Sequence, residues 1–197
     1  MLAEVLATML TIVVFIIAII KLRKVKFNSK NITRIGIFTA LTIVLYMIKI
    51  VPFPQGGGCS LLSILPIMVL SVVGGIEEAI ICGIIVGLTK IIIAPPYFPL
   101  QIPLDYLGAM MAIGFTSVFG IIEKKQLLVG AVLASLISIS FSILSGIIFF
   151  GQFAPEGMNV WVYATAYNLM GYGVEVVLSI IVLMILPLKR FKLKEVI

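Results

Sequence analysis

The sequence predicts an all-α polytopic membrane protein, and three observations carry that expectation. Its 197 residues are 62% hydrophobic and 11% charged, with a mean hydropathy of +1.29. A water-soluble domain is closer to half apolar and a quarter charged, and a chain this short leaves much of its surface exposed, so the bilayer must be the solvent. The apolar residues come in continuous runs, unlike the short alternating segments of a membrane barrel. The basic residues gather between those runs, so the net charge of +6 reads as membrane topology rather than nucleic-acid binding.

Seven runs, at about 3–20, 32–51, 61–73, 76–94, 104–122, 127–150 and 161–187, predict seven helices. A span needs about 20 apolar residues. The first run lacks a basic start and a small-residue cleavage site and is read as a retained helix rather than a signal peptide. The second follows a basic stretch (Lys21, Arg23, Lys24, Lys26, Lys30, Arg34) and carries the small-residue pair Gly36 and Ala40. The third is short for a span and is expected to be tilted or packed inside. The fourth opens after Gly74-Gly75 with Glu77 and Glu78 and holds a second small pair, Gly83 and Gly87. First-turn acids suit a helix N-terminus, and small pairs let helices approach closely, in internal packing or against a partner.

The fifth run begins near Asp105 and Tyr106, the sixth follows Lys124 and Lys125, and the seventh precedes a tail with Lys189, Arg190, Lys192 and Lys194. Seven crossings place all three basic clusters on one side, which the positive-inside tendency makes cytoplasmic, with the N-terminus outside. Lys49 and Lys90 lie near outer ends of spans, where long side chains can snorkel. Prolines, aromatics and polar residues then gather at the outer mouth: Pro52 to Gly58, Pro95 to Pro99, and Gln152 to Gly157. Ring closure stiffens such loops. They suit capture of a small molecule, or simply serve as turns with interfacial aromatics.

Two places stand out for chemistry. Asp105 is a carboxylate near the membrane core, where acids are costly and usually paired; it could face a cationic or donor-bearing ligand, or complement a helix dipole. On the last helix Thr165, Asn168, Tyr172 and Glu175 share one side, with Trp161 above them. That stripe should face the interior, as ligand contact or as helix–helix glue. Tyr163 lies about 140° around from Asn168; both line one pocket only if the helix begins late or Tyr163 belongs to the preceding loop. Histidine is absent and cysteine is limited to Cys59 and Cys82, so His-dependent triads, His–metal sites and disulfide frameworks are excluded. The glycines at 56–58 are not followed by Gly-Lys-Ser/Thr, so the chain carries no P-loop.

Taken in order and spacing, several pieces resemble the thiamine-specific substrate-binding subunits (S-components) of energy-coupling factor (ECF) transporters. They are Pro54-Gln55-Gly56-Gly57, Ser60-Leu61, Leu65-Pro66, Pro96-Tyr97, Leu104-Asp105-Tyr106, Ser145-Gly146, Phe149-Phe150, Ala154-Pro155-Glu156-Gly157, Tyr163 and Tyr167-Asn168. The resemblance covers about 32–187. It implies a six-helix substrate-binding membrane domain at 31–197 with a short basic tail, and an additional transmembrane helix and basic linker at 1–30. It also implies capture of thiamine, or a related small molecule, at the outer face. The expected ligand-binding residues are Asp105, Tyr106, Tyr97, Phe150, Tyr163, Asn168, Ser142 and Gln55. Gly36 and Ala40 would dock a transmembrane coupling subunit working with a pair of cytoplasmic ATPases. No cofactor, metal or catalytic residue is implied. Ser142 stands where the family commonly has histidine, the stretch after Asn168 delays the next tyrosine, and the loop before Asp105 is about two residues shorter. Another vitamin or a pyrimidine as cargo, or a self-sufficient secondary transporter using Asp105 and Glu175, are the alternatives; a membrane enzyme lacks an obvious base.

Overall fold

A computed structural model describes residues 2–23, 25 and 27–187, and among them seven helices form a bundle capped at one end by a small hairpin. The basic residues Lys24, Lys26, Lys189, Arg190, Lys192 and Lys194 lie outside the described residues. Helix α1 is Leu2–Leu22 and α2 is Ser29–Met47. A capping box starts α2: Asn28 and Asn31 exchange side-chain and backbone hydrogen bonds, both 2.9 Å, which satisfies two otherwise orphaned donors. The helix therefore begins before the apolar run does, and a boundary at 30/31 falls within its first turn.

The Pro/Gly-rich segment after α2 is a hairpin rather than an open loop. Strand β1 (Lys49–Pro52) pairs antiparallel with β2 (Gly58–Ser60), with Val51 opposite Cys59 and an irregularity between Lys49 and Val51. Its tip runs through Gln55 and Gly56 at φ of 56° and 82°. Helix α3 is Leu65–Val73, about 14 Å long, too short to span a bilayer by itself, and it links the hairpin to the start of α4. Ile67, Met68 and Leu70 on it are wholly buried, as expected for a segment packed inside. Gly75, at φ of 100°, turns the chain into α4 (Ile76–Ile93).

Helix α5 (99–117) is irregular. It passes from a 3-10 turn, Pro99–Gln101, through π turns, Ile102–Gly108, into regular helix, Ala109–Ile113, and ends in a second 3-10 stretch, Gly114–Ser117. Helix α6 is Lys124–Phe149. Helix α7 (Val160–Ile185) is continuous but contains π turns at Leu169–Gly173. By length and composition α1, α6 and α7 can each cross a membrane; α2 and α4 are shorter and carry charges.

Close crossings explain several glycines. A Cβ on Gly83 would meet the Met110 carbonyl oxygen at 2.5 Å, and one on Gly87 would strike the Tyr106 carbonyl. This small pair serves internal packing of α4 on α5. By contrast, a Cβ on Gly36 would meet nothing within 4 Å, and Gly36 and Ala40 are exposed. Helix α1 packs on α4, α5 and α6 through buried Ala3, Ala7, Val14 and Ala18. Ion pairs tie the end remote from the hairpin. Arg34 donates to both oxygens of buried Glu78, at 3.0 and 2.6 Å, and Lys21 lies 4.0 Å from Glu77. The paired glutamates are thus cross-helix ties as well as first-turn acids.

Candidate functional site: a cavity beneath the hairpin

The hairpin and the adjoining ends of α2, α4, α5, α6 and α7 enclose a cavity of about 310 Å³, a size typical of small-molecule sites. Asp105 is brought into it by the π turns of α5. Gln101 Nε2 and Ser145 Oγ both donate to Asp105 Oδ2. An ionised carboxylate has about four lone-pair sites, so this fixes the acid and leaves capacity for a ligand's donors. The Tyr106 ring lines the wall, while its hydroxyl donates to the Ala94 carbonyl at 2.6 Å and holds α5 against the end of α4.

On α7, Asn168 donates to the carbonyls of Ala164, at 2.9 Å, and Ser142, at 3.3 Å. Ser142 itself lines the cavity. Helices α6 and α7 come close here because Gly146 has no side chain; a Cβ would lie 3.0 Å from that of Ala164. Aromatic rings form the rim. Phe150 packs edge-on to Tyr97, 6.0 Å between centroids, and to Phe98, 5.7 Å. Tyr163 and Tyr167 are 6.0 Å apart.

The hairpin is pinned over this cavity from two directions. The Tyr167 hydroxyl donates to the Pro54 carbonyl, and the Phe53 ring meets Tyr167 edge-on at 5.4 Å. Any side chain at Gly57 would strike the Tyr167 ring. Beneath, Glu175 accepts hydrogen bonds from Ser60 N, 3.0 Å, Ser63 N, 2.7 Å, and Ser63 Oγ, 2.6 Å. A carboxylate only 2% exposed is tolerated because it is so fully bonded.

All the residues singled out for ligand contact (Asp105, Tyr106, Tyr97, Phe150, Tyr163, Asn168, Ser142 and Gln55) line this one cavity. The geometry corrects three details. Tyr163 and Asn168 line it together although α7 begins at Val160; neither a late start nor a loop position is needed, because the hairpin and the rim wrap a wide arc of the helix. Thr165 and Trp161 are not among the lining residues, whereas Asn168, Tyr172 and Glu175 are. Thr165 and Trp161 precede the π turns at Leu169–Gly173 and lie in regular helix, at the edge of the arc that faces the cavity. Lys49 and Lys90 do not snorkel away but line the cavity over the Tyr46 ring. Tyr46 and Gln101 also line it and were not anticipated. Gln101 had a signal in the sequence, since it stands four residues before Asp105 on the same helix face.

The family described as "Thiamine transporter protein" matches residues 32–195. The chain is 34% identical over 160 residues to the Thiamine transporter ThiT of Bacillus subtilis (strain 168), covering 72% of this chain and 83% of that protein. Its fold is similar to that of ThiT from Listeria monocytogenes, with a TM-score of 0.69 at 21% identity, over 81% of this chain and 93% of the other. Helix α1 lies entirely ahead of the region that the family matches. The chain belongs to the thiamine transporter protein family.

Proposed function

We propose that the cavity captures thiamine and that the chain is the substrate-capture subunit of an ATP-driven ECF importer rather than an enzyme. The observation that carries this reading is Asp105, a carboxylate oriented by Gln101 and Ser145 inside an aromatic-rimmed cavity. An aminopyrimidine offers donors to such an acid, and a thiazolium cation is attracted to ring faces by about 0.5–2 kcal/mol each. Nanomolar capture needs about 12 kcal/mol. A rigid cavity closed by the hairpin reduces the ordering cost of binding. The remaining site residues act as walls and rim: Tyr97, Phe150 and Tyr163 as rings, Asn168 and Ser142 as polar contacts, Gln55 from the hairpin tip.

The basic end of the bundle is cytoplasmic and the cavity opens outward in this reading. The unoccupied Gly36–Ala40 face of α2 receives the coupling subunit, and the missing P-loop assigns ATP hydrolysis to the partner ATPases. A secondary transporter would need a coupling-ion path; Glu175, engaged by Ser60 and Ser63, is better suited to holding the hairpin. Calorimetric titration of thiamine into the purified protein tests the proposal. Wild type should bind tightly and Asp105→Asn should bind roughly 10–100-fold more weakly, the loss of about 1.5–3 kcal/mol for a charged hydrogen bond. A well-folded wild type that ignores thiamine would turn the search to other vitamins and pyrimidines.

A further inference from the structure

The cavity holds two ammonium groups that thiamine does not call for. Lys49 Nζ lies 4.4 Å from the centroid of the Tyr46 ring, and Lys90 Nζ lies 4.6 Å from the same centroid and 5.7 Å from that of Tyr106. All four residues line the cavity. Among the described residues neither ammonium has a carboxylate within 4.0 Å or a hydrogen-bond acceptor. The two cavity carboxylates are engaged elsewhere, Asp105 with Gln101 and Ser145, and Glu175 with Ser60 and Ser63. Two like charges gathered on one ring, in a site shielded by hairpin and bundle, repel each other, and the fields of Asp105 and Glu175 reach them without an ion pair to either. A ring face attracts a cation but does not neutralise it.

We propose that Lys49 and Lys90, set on Tyr46, form an oxyanion-accepting subsite of the cavity. Its occupant is a phosphate-like group, either esterified to the ligand or free beside it. Lysine meets phosphate as a compact point charge with three rotatable donors, and two lysines from different elements, β1 and α4, can grip one such group from two sides. The subsite lies on the α2–α4 side, whereas Asp105 is tied to α6 through Ser145. The cavity is therefore amphoteric, with an acid on one wall for a donor-bearing ring and two bases on another for an anion.

This inference rests in part on the reading of the cavity as a thiamine site, and the test separates the two. Thiamine and thiamine monophosphate are titrated calorimetrically into wild type, Lys49→Met/Lys90→Met and the charge-retaining Lys49→Arg/Lys90→Arg. Thermal unfolding of the same proteins is followed in sodium phosphate and in sodium chloride of equal ionic strength. An esterified phosphate in the subsite predicts that the affinity ratio of monophosphate to thiamine falls at least tenfold in the methionine variant and is kept in the arginine variant. A free anion instead predicts that inorganic phosphate tightens thiamine binding to wild type, and raises its unfolding temperature above that in chloride, with both effects lost in the methionine variant. Unchanged ratios together with no phosphate-specific effect overturn the subsite. Should neither thiamine compound bind wild type, the phosphate-specific unfolding shift alone decides, its presence supporting the subsite and its absence ending it. Where the methionine variant fails to fold, wild type against the arginine variant decides. A phosphate-specific effect in both supports the subsite, and none in either overturns it.

Discussion

At the scale of single residues, the site rests on side chains whose partners fix them before any ligand arrives. Glu175 shows this well, because its carboxylate joins the hairpin and the start of α3 to α7 through three hydrogen bonds. Glu175→Gln keeps the shape but turns one acceptor into a donor facing backbone N–H groups, a mismatch costing about 1–3 kcal/mol. Thiamine should then dissociate roughly tenfold or more faster, as stopped-flow fluorescence would register; an unchanged off-rate would remove Glu175 from the closure. The acids and rings were legible in the sequence because an intramembrane carboxylate is rare and aromatics at the mouth stand out. Lys49 and Lys90 were visible as charges, but their inward direction was not. A lysine near a span end reaches either way, and only the placement of Tyr46 decides it.

Among the elements, regular helices were the most legible and irregular turns the least. All seven apolar runs correspond to helices, and the shortness of α3 already pointed to a buried segment. The π turns of α5, which carry Asp105, and of α7, which lie between Asn168 and Glu175, left no mark that composition reveals. In sequence the hairpin reads as a stiff loop, because Pro52, Pro54 and the glycines mask its strand pairing. Crossing distance is the vulnerable quantity here. Gly87→Ala places a methyl on the Tyr106 carbonyl, so α4 and α5 must separate at a cost of about 1–3 kcal/mol. We expect a lower melting temperature and weaker thiamine binding together, since Tyr106 adjoins Asp105. Gly36→Ala, inside α2 with nothing within 4 Å of the new methyl, is the matched control: it should leave thiamine binding unchanged and the melting temperature the same or slightly higher, as alanine favours helix over glycine.

For the whole molecule, the question is what each outer face meets. The Gly36–Ala40 face is open, flanked by exposed Ile37, Leu41 and Val44, and if it receives the proposed coupling subunit, Gly36→Leu should reduce co-purification with that subunit while thiamine binding persists. Equal recovery of the complex would move docking to another face. Helix α1 covers part of α4, α5 and α6 and contributes nothing to the cavity lining. A chain starting at Asn28 keeps the α2 cap, and it should melt at lower temperature yet retain thiamine affinity in a titration. Loss of binding on that truncation would show that α1 shapes the cavity from behind. The overall arrangement was readable because lipid forces backbone polar groups into helices. Which faces touch was not, because in lipid small residues and packing, rather than hydrophobicity, select neighbours.

The location of one native thiol makes the hairpin's motion measurable without an introduced cysteine. Cys59 sits in β2, 4% exposed, and Cys82 lies wholly buried in α4. In the proposed reading a ligand enters past the hairpin, and lifting β2 would uncover Cys59, while Cys82 stays within α4. Alkylation by a membrane-impermeant maleimide would then proceed at the frequency of opening, slow when thiamine is bound and fast in Glu175→Gln, with Cys82 silent throughout. The chain thus carries its own chemical stopwatch for how often the mouth breathes.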